Sequence, residues 1–521
     1  MTFDWSLPYD SRREAVVAQQ MVATSQPLAA QAGLEMLRRG GNAIDAAIAT
    51  AIALTVVEPC ANGIGSDAFA IVADENGLHG LNASGKSPAL YDGSEISSTG
   101  WSPVTVPGAV SGWVALSEKF GSLEFESLFE PAVQYAKNGF LVSRQTAAGW
   151  KKSVIKYKAF SSWQQTFAPN GNSPQVGELV KLPDHAKTLQ EIAETKGQSF
   201  YLGDLAQQMH AASVAEGGFL RLDDLATHAC SWVDPISVDC GNHELFELPP
   251  NGQGIAALIS IGILQLCDVD LANCDSPGTM HAQIESMKRA FADAHAFVAD
   301  PSISGTCQDL LQKDRLQKHA QAISSIAEDC NQSTLPRYSS TVYLAAGDAS
   351  GRLVSFIQSN YEGFGSGVVI PNTGIALQNR GLGFSSDPTH PNCAAPSKRP
   401  FHTIIPAMLC DNVGARMAFG VMGGPMQPQG HVQVACRIIF GNQNPQAAID
   451  APRWKLLGGR TVAIEHGFPE ELYAGLRERG HVLEIADERT VTFGGGQAVY
   501  RLKDGFVGAS DQRRDGQVVG L

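Results

Sequence analysis

Between Asp329 and Ser340 the chain is polar and carries a proline, and at Thr341 that run stops. Apolar residues then recur at alternate positions and in short blocks: Val342 and Leu344, followed by Leu353, Val354, Phe356 and Ile357. This period predicts a strand opening on a hydroxyl residue, a hairpin turn at Asp348-Ala349-Ser350-Gly351, and a return strand over 352–359. Upstream the period lengthens. Pro27 to Arg39 has helical spacing, with Ser25 as cap, Pro27 in the first turn and Gly40-Gly41 as stop. Ala43 to Val57 is apolar on every face except at Asp45, which predicts a helix buried nearly all round and shorter than the ~20 residues a membrane span needs. Gly63-x-Gly65-x-x-Ala68 has the outline of a dinucleotide fingerprint, yet it follows a helix and precedes a strand, the wrong context for that motif. Residues 125–215 and 280–298 predict helix. After Thr341 strands dominate. Residues 368–377 turn back into sheet, and Met417 to Met422 forms a strand that Gly423-Gly424 ends before a helix from Gly430 to Phe440.

Composition narrows the class. The 521 residues are 44% hydrophobic and 17% charged, with mean hydropathy −0.07, as expected of a water-soluble globular chain of roughly three or four domains. A formal net charge of −14 disfavours nucleic-acid and anionic-membrane partners, which need basic surface. The first residues have neither the basic nor the apolar segment of a signal peptide, so a cytoplasmic protein is expected. The ten cysteines are scattered, without C-x-x-C or zinc spacing, so reduced thiols and no metal are expected. The sequons at Asn82 and Asn331 are then chance matches.

Two readings fit the Ser340-Thr341 junction. One is an ordinary boundary between loop and strand. The other is a nucleophile exposed by cleavage: a Thr341 at a chain end offers a hydroxyl and an α-amine that can take its proton, so one residue is both nucleophile and base. The chain has no G-x-S-x-G, H-E-x-x-H or G-x-x-x-x-G-K-[ST] to support another chemistry. Gly423-Gly424 at a strand-to-helix turn is either a plain turn or a place where backbone N–H groups hold an oxyanion.

Several motifs together carry a resemblance along nearly the whole chain. They are Met21-Val22-Ala23-Thr24-Ser25-Gln26-Pro27, Gly40-Gly41-Asn42-Ala43-Ile44-Asp45-Ala46-Ala47, Val106-Pro107-Gly108, Pro249-Pro250-Asn251-Gly252-Gln253-Gly254, Thr341-Val342-Tyr343, Lys398-Arg399-Pro400, Gly423-Gly424 and Ala451-Pro452-Arg453. In this order they resemble the γ-glutamyltranspeptidase family of N-terminal-nucleophile hydrolases. The resemblance implies an α+β fold, a four-layer αββα sandwich, and a precursor that cuts itself between Ser340 and Thr341. Residues 1–340 become a large subunit and 341–521 a small one, with a dimer of such heterodimers as the expected assembly. It also implies Thr341 as nucleophile, Ser359 as its hydroxyl partner, Gly423 and Gly424 as oxyanion hole, and Asn360 or Tyr361 near the nucleophile's amine. No cofactor is implied.

The departures from that pattern concern the substrate. Where γ-glutamyl enzymes hold the donor's carboxylate with an arginine, this chain has Ser84, with Lys86 two residues on. Where they have a serine pair, it has His402-Thr403. Where they hold the α-amine with an acid, it reads Arg380-Gly381-Leu382-Gly383. An ammonium buried there without a counter-charge is costly. Asn82-Ala83-Ser84-Gly85-Lys86-Ser87-Pro88 and Arg399-Pro400-Phe401-His402-Thr403-Ile404-Ile405-Pro406 look like the branch of oxamate-type amidohydrolases and some acylases. The expected substrate is a small carboxylate-bearing amide, with Arg380, Lys86 and His402 as carboxylate ligands or else as structural or solvated positions. The alternatives are a true γ-glutamyltransferase or glutathione hydrolase, and an uncleaved, inactive binding protein.

Overall fold

A computed structural model describes residues 13–329, 340–486 and 490–521. The polar run before Thr341 and the sequon at Asn331 thus lie almost wholly outside the described residues. Two antiparallel seven-stranded sheets form the middle. One runs Gln517–Gly520, Met21–Thr24, Ser340–Gly347, Leu353–Tyr361, Asp67–Asp74, Gly77–Ala83, Ser231–Val233. The other runs Val16–Ala18, Phe506–Ser510, Gly495–Arg501, Gly414–Met422, Ala407–Asp411, His243–Glu247, Ile236–Cys240.

Alternation along the strands sorts side chains into layers. Val342, Leu344 and Ala346 pack outward with Ile48 and Ile52 of the helix Ala43–Val57. Tyr343 and Ala345 point inward and meet Phe69, Ile71 and Ile357 of their own sheet and Met408, Ala418 and Met422 of the other. On the far side Leu409, Met417 and Phe419 pack outward among the helices Gly254–Leu264, Pro277–Phe297 and Met426–Ile439. The order is therefore helix, sheet, sheet, helix. Both sheets combine strands from before and after Thr341, so the two halves of the sequence share one core.

The helix Ala43–Val57 is buried at every position, and its Asp45 completes a capping box by accepting from Asn42 N at 2.9 Å. Three boundaries differ from expectation. The cap of Pro27–Arg38 is Gln26, whose Oε1 accepts from Leu28 N at 2.6 Å, while Ser25 Oγ is drawn off to Glu58 at 2.6 Å. Residues 368–377 form no strand, only isolated bridges such as Val369 with Ala376. The helix after Gly423-Gly424 begins at Met426, not at Gly430. Among the described residues no helix is long and apolar enough to cross a membrane, and the described cysteines are all free.

Candidate active site

The same alternation places the candidate nucleophile. A step of two residues, back from Tyr343 and Phe69 and on from Ile357, brings Thr341, Asp67 and Ser359 to the inward face of neighbouring strands. Ser359 pairs directly with Asp67 in the ladder. The Ser340–Gly347 and Leu353–Tyr361 pair shifts register between Ser340 and Val342, so the ladder opens at Thr341. Thr341 Oγ1 lies 3.1 Å from Ser359 Oγ. Ser359 Oγ donates to the Ser340 carbonyl at 2.8 Å and accepts from Tyr361 N at 2.8 Å. Its only proton is committed to the carbonyl, so the Thr341 hydroxyl is the donor between the two. A chain of hydroxyls therefore leads from Thr341 to the carbonyl of the peptide bond just before it. Thr341, Ser359, Asp67, Arg380 and His402 are all fully buried.

The second sheet brings its glycine turn to the same edge. The Tyr343 ring lies against Gly420, and farther along Gly347 lies against Phe506. Phe506 pairs with Arg501, and Tyr500 with Met417. The strands Ser340–Gly347 and Gly414–Met422 thus run past each other in opposite directions, and two residues beyond Tyr343 and Gly420 lie Thr341 and Met422-Gly423. Gly423 has φ +134° and Gly424 φ +62°, a pair that side chains adopt poorly. Gly423 O accepts from Met426 N at 3.2 Å, and Gly424 O from Gln427 N at 3.0 Å and Gln253 Nε2 at 2.9 Å. In a trans peptide the N–H points opposite the preceding carbonyl, so Gly424 N–H faces away from the helix. Gln253 Nε2 also donates to the Thr403 carbonyl at 2.6 Å, tying this turn to the His402-Thr403 segment. Sequence reading matched Gln253 as a motif residue and missed this brace.

Beside Ser359 sits a charged cluster that sequence reading half found. Asp67 Oδ2 is 3.1 Å from His402 Nε2 and 4.0 Å from Arg380 Nε, and Oδ1 accepts from Gly108 N at 3.2 Å and Gly85 N at 3.4 Å. Arg380 Nη1 donates to Thr403 Oγ1 at 2.8 Å, and its guanidinium stacks on Tyr361, 4.5 Å from the ring centre. Arg380 Nε and Nη2 have no hydrogen-bond partner. Burial pushes the Asp67 carboxyl up to about 7, against the pull of Arg380 and the two glycine N–H groups. Burial pulls Arg380 down to about 10, and burial with the Arg380 charge holds His402 well below its ordinary range, hence neutral.

Arg380, His402, Thr403, Tyr361 and Asn360 therefore gather near Thr341 and Ser359. Asn360 Oδ1 accepts from Ser66 Oγ at 2.8 Å and its Nδ2 is unpartnered. Ser84 is buried, but its Oγ turns to Asn82 at 2.7 Å and Asn251 at 3.3 Å. Lys86 is exposed and makes no ion pair among the described residues, so it is not part of the buried cluster. Asp67 was missed because it sits in a glycine-rich turn sequence, yet counting back from Ala73, Ile71 and Phe69 puts it on the inner face.

Elsewhere, His281, Glu285 and His481 offer ligand atoms close enough together for one metal ion. His281 Nδ1 faces His481 Nε2 at 2.8 Å, its Nε2 meets the Ser324 carbonyl at 2.8 Å, and Lys288 holds Glu285 at 2.8 Å. Both His281 nitrogens and Glu285 are already engaged, and the lysine charge opposes a cation. The group acts as a bracket between Pro277–Phe297 and the turn at His481.

Comparison with known proteins places the chain in a family. The family profile described as gamma-glutamyltranspeptidase matches residues 29–521. The glutathione hydrolase-like YwrD proenzyme of Bacillus subtilis is 34% identical over 98% of this chain and 100% of its own length. The oxamate amidohydrolase proenzyme of Klebsiella pneumoniae is 35% identical over 96% of this chain and 98% of its own. The crystal structure of cephalosporin acylase from Bacillus halodurans superposes with TM-score 0.95 at 45% identity, covering 100% of this chain and 99% of that one. With its stacked sheets, its glycine turn and a profile match over nearly its full length, the chain belongs to the γ-glutamyltranspeptidase family and is an enzyme.

Proposed function

We propose that the chain cuts itself between Ser340 and Thr341, and that the freed Thr341 hydrolyses a small amide whose acyl part bears a carboxylate. The observation that carries this reading is the Arg380 guanidinium: fully buried, beside the Thr341–Ser359 pair, with two nitrogens lacking a hydrogen-bond partner. A planar donor fork held in a dry place suits a carboxylate. Two of the relatives are named for amide-bond hydrolysis, oxamate amidohydrolase and cephalosporin acylase, and two are named as proenzymes.

In the cleavage step Thr341 Oγ adds to the Ser340 carbonyl, whose oxygen the Ser359 hydroxyl polarises. The C–N bond breaks, the nitrogen takes a proton, and an ester forms on Thr341. Water then hydrolyses the ester, leaving a carboxylate on Ser340 and a free amine on Thr341. Residues 1–340 are the large subunit and 341–521 the small one. In the second reaction that amine takes the Thr341 hydroxyl proton as Oγ attacks the substrate carbonyl. Gly423 and Gly424 N–H groups hold the oxyanion. The protonated amine passes its proton to the leaving nitrogen, and water releases the acid. Arg380, with His402 and Thr403, holds the acyl carboxylate. Asn360 and Tyr361 flank the amine, while Ser84, bonded to Asn82 and Asn251, and exposed Lys86 take no part.

Thr341→Ala is expected to stay one uncut chain and to hydrolyse no amide; cleavage at 340/341 in that variant would refute the assignment. A second reading, a glutathione hydrolase acting on γ-glutamyl amides, is favoured by the name of the Bacillus subtilis relative.

A further inference from the structure

We propose that Asp67 is a positioning residue: it locks Arg380 and His402 into a clamp for the acyl carboxylate, and in doing so leaves the pocket no receptor for an α-ammonium group. This rests on Thr341 as nucleophile and deepens it by naming the acyl class, carboxylates without an α-amino group.

Asp67 is the one carboxylate that Arg380 meets within ion-pair distance among the described residues. A buried acid so placed has two possible uses. It can receive a substrate ammonium, or it can serve the protein's own cations. Its contacts decide. Oδ1 accepts from Gly85 N and Gly108 N, and Oδ2 faces His402 Nε2 and Arg380 Nε. To donate to Asp67, His402 carries its proton on Nε2, leaving Nδ1 toward Ile404 N at 3.4 Å. Both oxygens are then turned to protein donors.

The other acceptors nearby are taken too. Gln378 Oε1 accepts from Arg380 N at 2.5 Å, Asn360 Oδ1 from Ser66 Oγ at 2.8 Å, and Asn379 Oδ1 from Glu362 N at 3.2 Å. An ammonium brought beside Arg380 would shed water and meet the arginine charge, with these three acceptors already bonded. Arg380 presents the opposite case. Asp67 on one side, Thr403 on another and Tyr361 beneath fix its plane, while Nη2 keeps unused N–H groups. The Arg380 side of the clamp is pre-organised for an acceptor, and the Asp67 oxygens are turned to protein donors.

The test compares two anilides that differ by one ammonium. Mature enzyme is expected to turn over glutaryl-p-nitroanilide with kcat/KM about tenfold or more above γ-glutamyl-p-nitroanilide, since a site whose polar groups are left unmatched discriminates strongly. Asp67→Asn is expected to raise KM for the glutaryl compound by about tenfold with kcat within about threefold, and to leave butyryl-p-nitroanilide, which lacks the carboxylate, little changed. Equal or better turnover of the γ-glutamyl compound by wild type overturns the proposal and assigns Asp67 to the ammonium. Equal loss on glutaryl and butyryl substrates in Asp67→Asn reduces it to a structural residue. Should that variant not fold, the wild-type comparison still decides. Should no anilide be cleaved, calorimetric binding of glutarate against L-glutamate to mature protein makes the same comparison, with tighter glutamate binding overturning the proposal. Failure of the nucleophile reading is read separately, from an uncut chain or from activity in Thr341→Ala.

Discussion

Ser359 is where the chemistry of single residues is most constrained. One hydroxyl accepts from Thr341 and from Tyr361 N and donates to the Ser340 carbonyl. Under the proposed cleavage, removing it takes polarisation from the Ser340 carbonyl and orientation from the Thr341 hydroxyl. Ser359→Ala is therefore expected to slow the appearance of the two fragments by about a hundredfold to a thousandfold, the range for losing one positioned donor, as followed by denaturing gel over time. Cleavage at the wild-type rate would remove Ser359 from the reaction. Thr341 and Gly423-Gly424 stood out in sequence as candidates because each marks a break in pattern, a hydroxyl at a strand start and paired glycines at a strand end. Asp67 was not, because its meaning comes from Arg380 and His402, which lie more than three hundred residues away in sequence. Lys86, two residues beyond the buried Ser84 and past the end of the strand Gly77–Ala83, is exposed, which residue type alone did not decide.

At the scale of elements, the turn from strand Gly414–Met422 to helix Met426–Ile439 sets the glycine N–H groups. A Cβ on Gly423 would lie 3.2 Å from Met426 Cβ and 3.3 Å from Gly494 Cα, on a backbone with φ +134°. Gly423→Ala is expected to cost about 1–3 kcal/mol in a denaturation curve and to lower activity out of proportion. The helix starts at Met426, before the expected Gly430, and tolerates Pro428 in its first turn, where a missing N–H leaves no bond unmade. The segment 368–377 was misread as strand because its apolar residues pack under the helix Pro183–Glu194 instead of pairing: Thr188 Oγ1 bonds the Thr373 carbonyl at 2.8 Å, and His185 lies against Gly374. Burial pulls His185 down to about 4. The folded form thus refuses a proton that the unfolded chain takes up below about pH 6.5, so this contribution is intact above that pH and is lost as pH falls toward about 4. At about pH 5 the loss is about 2 kcal/mol. Denaturation midpoints should fall less between about pH 7 and about pH 5 in His185→Gln than in wild type, and equal falls would contradict the linkage.

For the whole molecule, both sheets take strands from either side of Thr341, and the inner layer joins Tyr343, Phe69, Met408 and Met422 in one core. The layer order was expected from family resemblance, while periodicity alone gave strands without their neighbours, because pairing partners such as Met21–Thr24 and Ser340–Gly347 are far apart in sequence. A cut at one strand end leaves this core intact, so the fragments are expected to co-elute in native chromatography and part only in denaturant. The most direct test of the central claim is N-terminal sequencing of the smaller fragment from mature protein. The account predicts Thr-Val-Tyr-Leu, beginning at Thr341, in active material; an active preparation with Thr341 still inside an unbroken chain would contradict it.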